Sequence, residues 1–190
     1  ICGSGPTFSA KAAAAHVGPR IFLNRTAFAC SGLAGYWMVI DDAWGLRCKG
    51  PWAEHLAGIL GILPTIPHIG VFRSPLLARD RLTPPPAGDR IAHFQVMFGG
   101  LRESALEHSR DEVARRRELY ERIGSSGPAV HLAWYLGCQR IKLLGLDGGN
   151  GISPELAEWY DGMPAVPNYY ATSGKYMRRA IEMLRMEVVS

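Results

Sequence analysis

The chain is short of cysteine, has no long apolar run and carries little net charge, and each shortage removes a class of protein. Its four cysteines, Cys2, Cys30, Cys48 and Cys138, form no C-x-x-C pair and have no clustered histidines beside them. A zinc site is therefore not expected, and free thiols in a reducing cytoplasm fit better than a disulfide framework. No apolar stretch approaches the roughly 18–20 residues that a membrane-spanning helix needs, and residues 56–63 stop at Pro64. Nothing at the start reads as a signal peptide, because Ile1 and Cys2 run straight into a glycine-rich turn. Also missing are a G-x-x-x-x-G-K-[ST] phosphate loop, a Ser/His/Asp or Cys/His set at recognisable spacing, internal repeats and low-complexity tracts.

The charge balance is mild, 21 basic against 17 acidic residues for a net +4. Much of the excess falls in residues 102–122 and 175–185, where both signs mix at helical spacing, as on a solvated helix face. Nucleic acid is thus not the expected partner, whereas an anionic small ligand would be favoured by the excess. With 190 residues, 47% hydrophobic and 20% charged, the chain has the size and composition of one α/β domain spanning residues 1–190.

What the sequence does have is concentrated in residues 125–147, SSGPAVHLAWYLGCQRIKLLGLD. A Ser/Gly turn leads into a short apolar helix, Gly137 stops it, and a buried strand follows that ends on Asp147. Helix then strand within about 20 residues is half of a crossover unit, which requires parallel strands. Similar alternation runs through the whole chain. Ile1-Cys2 read as a strand end, residues 9–16 as an Ala-rich helix stopped by Gly18-Pro19, and residues 20–24 as a strand ending on Asn24. Residues 35–42 read as an aromatic strand ending on Asp41 and Asp42, residues 51–63 as a helix, and residues 68–72 as a strand. Residues 82–89 (LTPPPAGD) form a loop, 91–98 a strand, 103–123 one long amphipathic helix, and 173–184 a last helix before a strand at MEVVS. Residues 148–172 read as a loop covering the site. The expected fold is α/β, a Rossmann-like, doubly wound, mainly parallel sheet flanked by helices.

Such sheets bind ligands at helix N-termini and at the carboxyl ends of strands, and the polar residues gather there. The first turn, Gly3, Ser4, Gly5, Pro6 and Thr7, lets the backbone approach a phosphate or ribose. It departs from a dinucleotide fingerprint, with Phe8 in place of the third glycine and Asn24 in place of the ribose carboxylate. Asn24 suits either a base or ribose edge or the capping of its own turn. Asp41 and Asp42 suit a metal, a ligand hydroxyl or a cap. One of Ser125 and Ser126 is expected to cap the helix, leaving the other hydroxyl with the Gly127 N–H as an anion cradle. Asp147 is either a site carboxylate or a turn-forming Asp-Gly. His131 reads as a partly buried packing residue rather than a base, His16, His55 and His108 as surface or helix-end residues, and His68 and His93 as site members only if their strand ends face the ligand.

In order along the chain, GSGPT, FLN (residues 22–24), YWMVIDD (residues 36–42) and SSG…LLGLD (residues 125–147) resemble the motifs of one superfamily. It joins bacterial sialyltransferases of the Campylobacter lipooligosaccharide type with archaeal 6-hydroxymethylpterin diphosphokinase-like proteins. The resemblance implies a nucleotide held across the first turn, Asn24 and the Ser125–Ser126–Gly127 turn, with the sugar of a nucleotide-sugar donor passing to an acceptor hydroxyl. It also implies tyrosines that steady the leaving phosphate, for which Tyr160, Tyr169 and Tyr170 are available, with Lys175 to neutralise charge. Residues 148–175 contain no His to act as base, so that role falls to Asp147 or Asp161. The resulting expectation is a nucleotide-dependent, glycosyltransferase-like transferase with no required metal. One alternative is Mg²⁺-dependent diphosphate transfer of the pterin-kinase type, with Asp41, Asp42 and Asp147 as ligands. Another is a nucleotide-binding module without catalysis. Trp159 and Tyr160, if exposed, suit a lid, a subunit interface or neither, so an oligomer is compatible with the sequence.

Overall fold

A computed structural model describes residues 1–39, 68–73, 91–96, 103–116, 118–120, 124–146, 151–159 and 167–190. It is an α/β structure in which every strand pair among the described residues is parallel. Strands β1 (Ile21–Leu23), β2 (Gly35–Val39), β3 (His68–Arg73), β4 (Ile91–Val96) and β5 (Glu118–Leu119) neighbour one another in that order. Strands β6 (Arg140–Lys142) and β7 (Glu187–Val189) form a separate pair. The two sets are joined through the first residues of the chain. Cys2 bridges Phe22 on one side and Leu144, just beyond β6, on the other. Cys2 N donates to Ile21 O (2.8 Å), Leu23 N to Cys2 O (2.9 Å), and Leu144 N to Ile1 O (3.0 Å).

Side chains alternate across this layer, as a two-residue period demands. Ile21, Leu23 and Met38 join one buried cluster with helices α3 (Arg110–Arg116), α4 (Ser126–Tyr135) and α5 (Pro167–Met183). Phe22, Trp37 and Cys2 join a second with helices α1 (Ala10–Ala15) and α2 (Thr26–Ala29) and with Leu156. Both faces of β1 are therefore covered, which is why it is buried at all three positions. Burying Phe22 or Trp37 completely stabilises the fold by roughly 2–3 kcal/mol each.

Local signals set the helix ends. Ser9 caps α1, its Oγ accepting from Ala12 N (3.4 Å). At the other end, Arg20 donates to Ala13 O (2.9 Å), Ala14 O (3.2 Å) and His16 O, satisfying the last carbonyls. Helix α4 stops where expected. Gly137 has φ +94°, its N–H bonds Trp134 O (3.0 Å) and Cys138 N bonds Ala133 O (3.0 Å), the paired closure of a Schellman motif.

Two expectations need correction. Residues 103–123 do not form one helix. A 3₁₀ segment, Glu103–Glu107, is followed by a fresh start at Ser109, whose Oγ accepts from Glu112 N (3.3 Å) while Glu112 Oε2 accepts from Ser109 N (2.9 Å). This reciprocal capping box begins α3, which ends at Arg116, and Glu118–Leu119 pair with Gln95 and Val96 as β5. Pairing with an existing strand outweighs the helical pattern there. Residues 148–172 are likewise not all loop, since Pro154–Trp159 form a 3₁₀ helix and α5 begins at Pro167. Residues 51–63 and 82–89 lie outside the described residues, as do positions 40–42 and 97–98 at the ends of two expected strands.

Candidate functional site

At the carboxyl end of the first strand segment the chain reverses through residues 3–7 and packs against the chain leaving β6. Gly3 N donates to Leu144 O (2.7 Å) and Gly5 N to Gly145 O (2.9 Å), while Thr7 Oγ1 accepts from Gly145 N (3.1 Å). The glycines are needed for this approach. A Cβ on Gly3 would meet Leu146 and lie 2.6 Å from Gly145 O, and Gly145 itself has φ +66°. Phe8 N closes the turn on Gly5 O (2.9 Å). With the N–H groups of Gly3, Gly5 and Phe8 engaged and Pro6 without one, Ser4 and Thr7 are the turn's main-chain donors that have no acceptor among the described residues. The turn lies where the order of neighbours reverses, with β1–β5 on one side and β6–β7 on the other.

Asn24, at the adjacent strand end, has φ +51°, a left-handed conformation that Asn tolerates better than most residues. Its N–H donates to Met38 O (3.0 Å), and its carbonyl accepts from Trp37 Nε1 (2.6 Å). These main-chain bonds hold the turn between β1 and α2 and involve no side-chain amide atom. Thr26 Oγ1 lies 2.8 Å from Leu23 O and 3.1 Å from Cys2 O, tying the first two strand ends together.

Residues 151–159 fasten onto the first turn. Ser153 N donates to Ser4 O (2.9 Å), Ser153 Oγ to Phe8 O (3.1 Å), and Ala10 N to Glu155 Oε2 (2.7 Å). Buried Arg25 donates to Trp159 O, and the Trp159 ring lies 5.0 Å from Phe28 with 38% of the residue exposed. The segment thus touches the candidate site, but as an anchored 3₁₀ turn.

The second polar turn precedes α4. Ser125 occupies the N-cap position with helical φ and ψ and makes no side-chain cap bond. The expected capping role is therefore not filled. Residue Ser125 is only 6% exposed, and its Oγ has no hydrogen-bond partner among the described residues. The first intrahelical bond runs from Ala129 N to Ser125 O (3.1 Å), Pro128 has no N–H, and the N–H groups of Ser126 and Gly127 therefore point out of the helix end. Ser126 Oγ is engaged elsewhere, 2.7 Å from Ser173 Oγ on α5. That hydroxyl joins two helices.

His131 is a packing residue as expected, but fully rather than partly buried. It is 0% exposed, and its Nδ1 accepts from Tyr120 N (2.8 Å), which places its proton on Nε2. Burial first, then the nearby His108, pushes its pKa down to about 4. Burial likewise raises the Cys2 thiol and, more strongly, Cys30, to about 12, so neither is a nucleophile near neutral pH.

Of the residues expected at the site, Gly3, Ser4, Gly5, Pro6 and Thr7 meet Gly145 and residues 151–159. Asn24 lies one strand away, and Ser125, Ser126 and Gly127 begin α4. Among the described residues no hydrogen bond joins the two turns. Lys175 is exposed on α5. Tyr169 and Tyr170 fall in the first turns of α5. Asp41, Asp42, Asp147, Tyr160 and Asp161 lie outside the described residues. Sequence reasoning missed Ser153 and Glu155, although Ser-Pro-Glu is a helix-start pattern. It also missed Ser173, whose partner is 47 positions away, and Arg25. No protein-family model, curated protein or solved structure matches the chain.

Proposed function

We propose that this chain is a nucleotide-dependent transferase, most akin to a nucleotide-sugar glycosyltransferase, built on a Rossmann-like, doubly wound parallel sheet. The observation that carries the reading is the meeting of residues 3–7 with Gly145 where the order of strands reverses, the position at which parallel α/β sheets open a crevice for ligands. The buried start of α4 adds the N–H groups of Ser126 and Gly127, which have no intrahelical acceptor, and the Ser125 hydroxyl, which has no partner among the described residues.

In this reading Ser4 N–H, Thr7 N–H and the α4 start hold the phosphate of the donor. As the bond to the sugar breaks, charge grows on that phosphate, and fixed N–H dipoles stabilise it. Asn24 faces the ribose or base, and Tyr169, Tyr170 and Lys175 serve the phosphate from α5. Asp147 or Asp161 takes the proton from the acceptor hydroxyl as its oxygen bonds the sugar carbon.

A thermal-shift panel of CMP, UDP, ATP and pterin, with and without Mg²⁺, tests this, because a ligand of the folded state raises the Tm. Stabilisation by CMP or UDP without metal supports sugar transfer. A strict need for Mg²⁺ with ATP moves the reading to diphosphate transfer. Nucleotide binding without donor turnover reduces it to a binding module, and no shift with any nucleotide removes it.

A further inference from the structure

The opposite, amino-terminal rim of the strands carries a separate cavity. Its volume is about 490 Å³, within the range of small-molecule sites, and it is lined by the segments entering β1 and β6. The floor is apolar, made by Ile21, Ala133, Leu136 and Ile141. Polar groups enter from the rim through His16, Arg140 and Lys142.

These cations differ in what already occupies them. Arg20, at a smaller adjoining void, is bound to the carbonyls of Ala13, Ala14 and His16. Arg140 pairs with Glu187 (3.3 Å). Half-buried Lys142 lines both voids and has no carboxylate within ion-pair distance among the described residues. The local field is positive. His16 titrates below its ordinary value, through desolvation first, with Arg20 and Lys142 adding positive charge beside it.

We propose that this cavity binds a small amphipathic carboxylate, its hydrocarbon or aryl body against Ile21, Leu136 and Ile141 and its charge beside the Lys142 ammonium. An apolar floor rewards burial of the body in proportion to its area. A half-buried ammonium at the rim, without an ion-pair partner among the described residues, favours one anionic head over a neutral one. Lys142 is a binding residue here and has no part in the site at the carboxyl ends.

Octanoate is the probe, with 1-octanol as its uncharged counterpart, titrated calorimetrically into the whole chain. One octanoate is expected to bind per chain, shifting the methyl resonances of Leu136 and Ile141. Lys142→Gln is expected to weaken octanoate on the order of tenfold, the scale of one charge-assisted hydrogen bond, while leaving octanol unchanged. Lys142→Arg restores most of the octanoate affinity. Equal octanoate affinity in wild type and Lys142→Gln, no saturable binding in the millimolar range, or methyl shifts confined to other residues would each overturn the proposal.

Discussion

Gly3 and Gly145 face each other across the junction of the first strand segment and β6, and neither has room for a side chain. A Cβ on Gly145 would run into Gly3 O and sit 2.8 Å from Phe8 Cβ, while one on Gly3 would lie 2.6 Å from Gly145 O. Gly145→Ala must also hold a left-handed φ of +66°. Strain and overpacking together are expected to cost roughly 2–5 kcal/mol in urea unfolding. Gly137→Ala is the internal control. Gly137 has φ +94° but nothing within 4 Å of its would-be Cβ, so only the strain, roughly 1–2 kcal/mol, remains. Equal losses in the two variants would show that the close approach contributes nothing.

The buried hydroxyl pair Ser126–Ser173 joins α4 to α5. Either single alanine leaves one buried hydroxyl without that partner, at an expected cost of about 1–2 kcal/mol. The double variant should lose less than the sum of the two. A double-mutant cycle in urea should give a coupling of about 1 kcal/mol, and strict additivity would contradict the contact.

His131 makes stability fall in mild acid. Its folded pKa, about 4, lies below the ordinary value of 6.5, so between those values the unfolded chain binds the proton that the native chain resists. The contribution is complete above pH 6.5 and declines as pH falls toward 4, by up to about 3 kcal/mol. His131→Asn retains a short polar side chain without the titration. Its unfolding free energy should be flatter over this window than that of the wild type, and an unchanged slope would sink the assignment.

Thiol access should follow burial. Cys138 is half-buried, whereas Cys2 and Cys30 are buried with raised pKa values. Iodoacetamide at pH 8 followed by peptide mapping should label Cys138 well before Cys2 or Cys30, which become reactive only on unfolding. Early labelling of Cys30 would contradict its placement in the core.

The elements legible in the sequence were those fixed by local chemistry. Ser9 and Gly137 announced helix ends that the structure has, and FLN and MEVVS announced strands. Ser109-x-x-Glu112 was an equally local signal, but the charged pattern around it suggested an unbroken helix. β5 was not legible, because two residues acquire strand geometry only from Gln95 and Val96. At the site the first turn was readable as a place of close backbone approach. What approaches it within the chain, Gly145 and Ser153, lies more than 100 positions away, and no local pattern could give those partners. The same holds for Ser126, whose hydroxyl looked available until Ser173 came beside it.

The most direct test of the proposed nucleotide site is residue-resolved amide NMR during titration with CMP or UDP. Saturable shifts at Ser4, Thr7, Ser126 and Gly127, weakened by Ser125→Ala without loss of folding, are the predicted result. Unmoved amides at both turns, or shifts confined to the Leu136–Lys142 rim, would contradict a nucleotide site at the carboxyl ends of the strands.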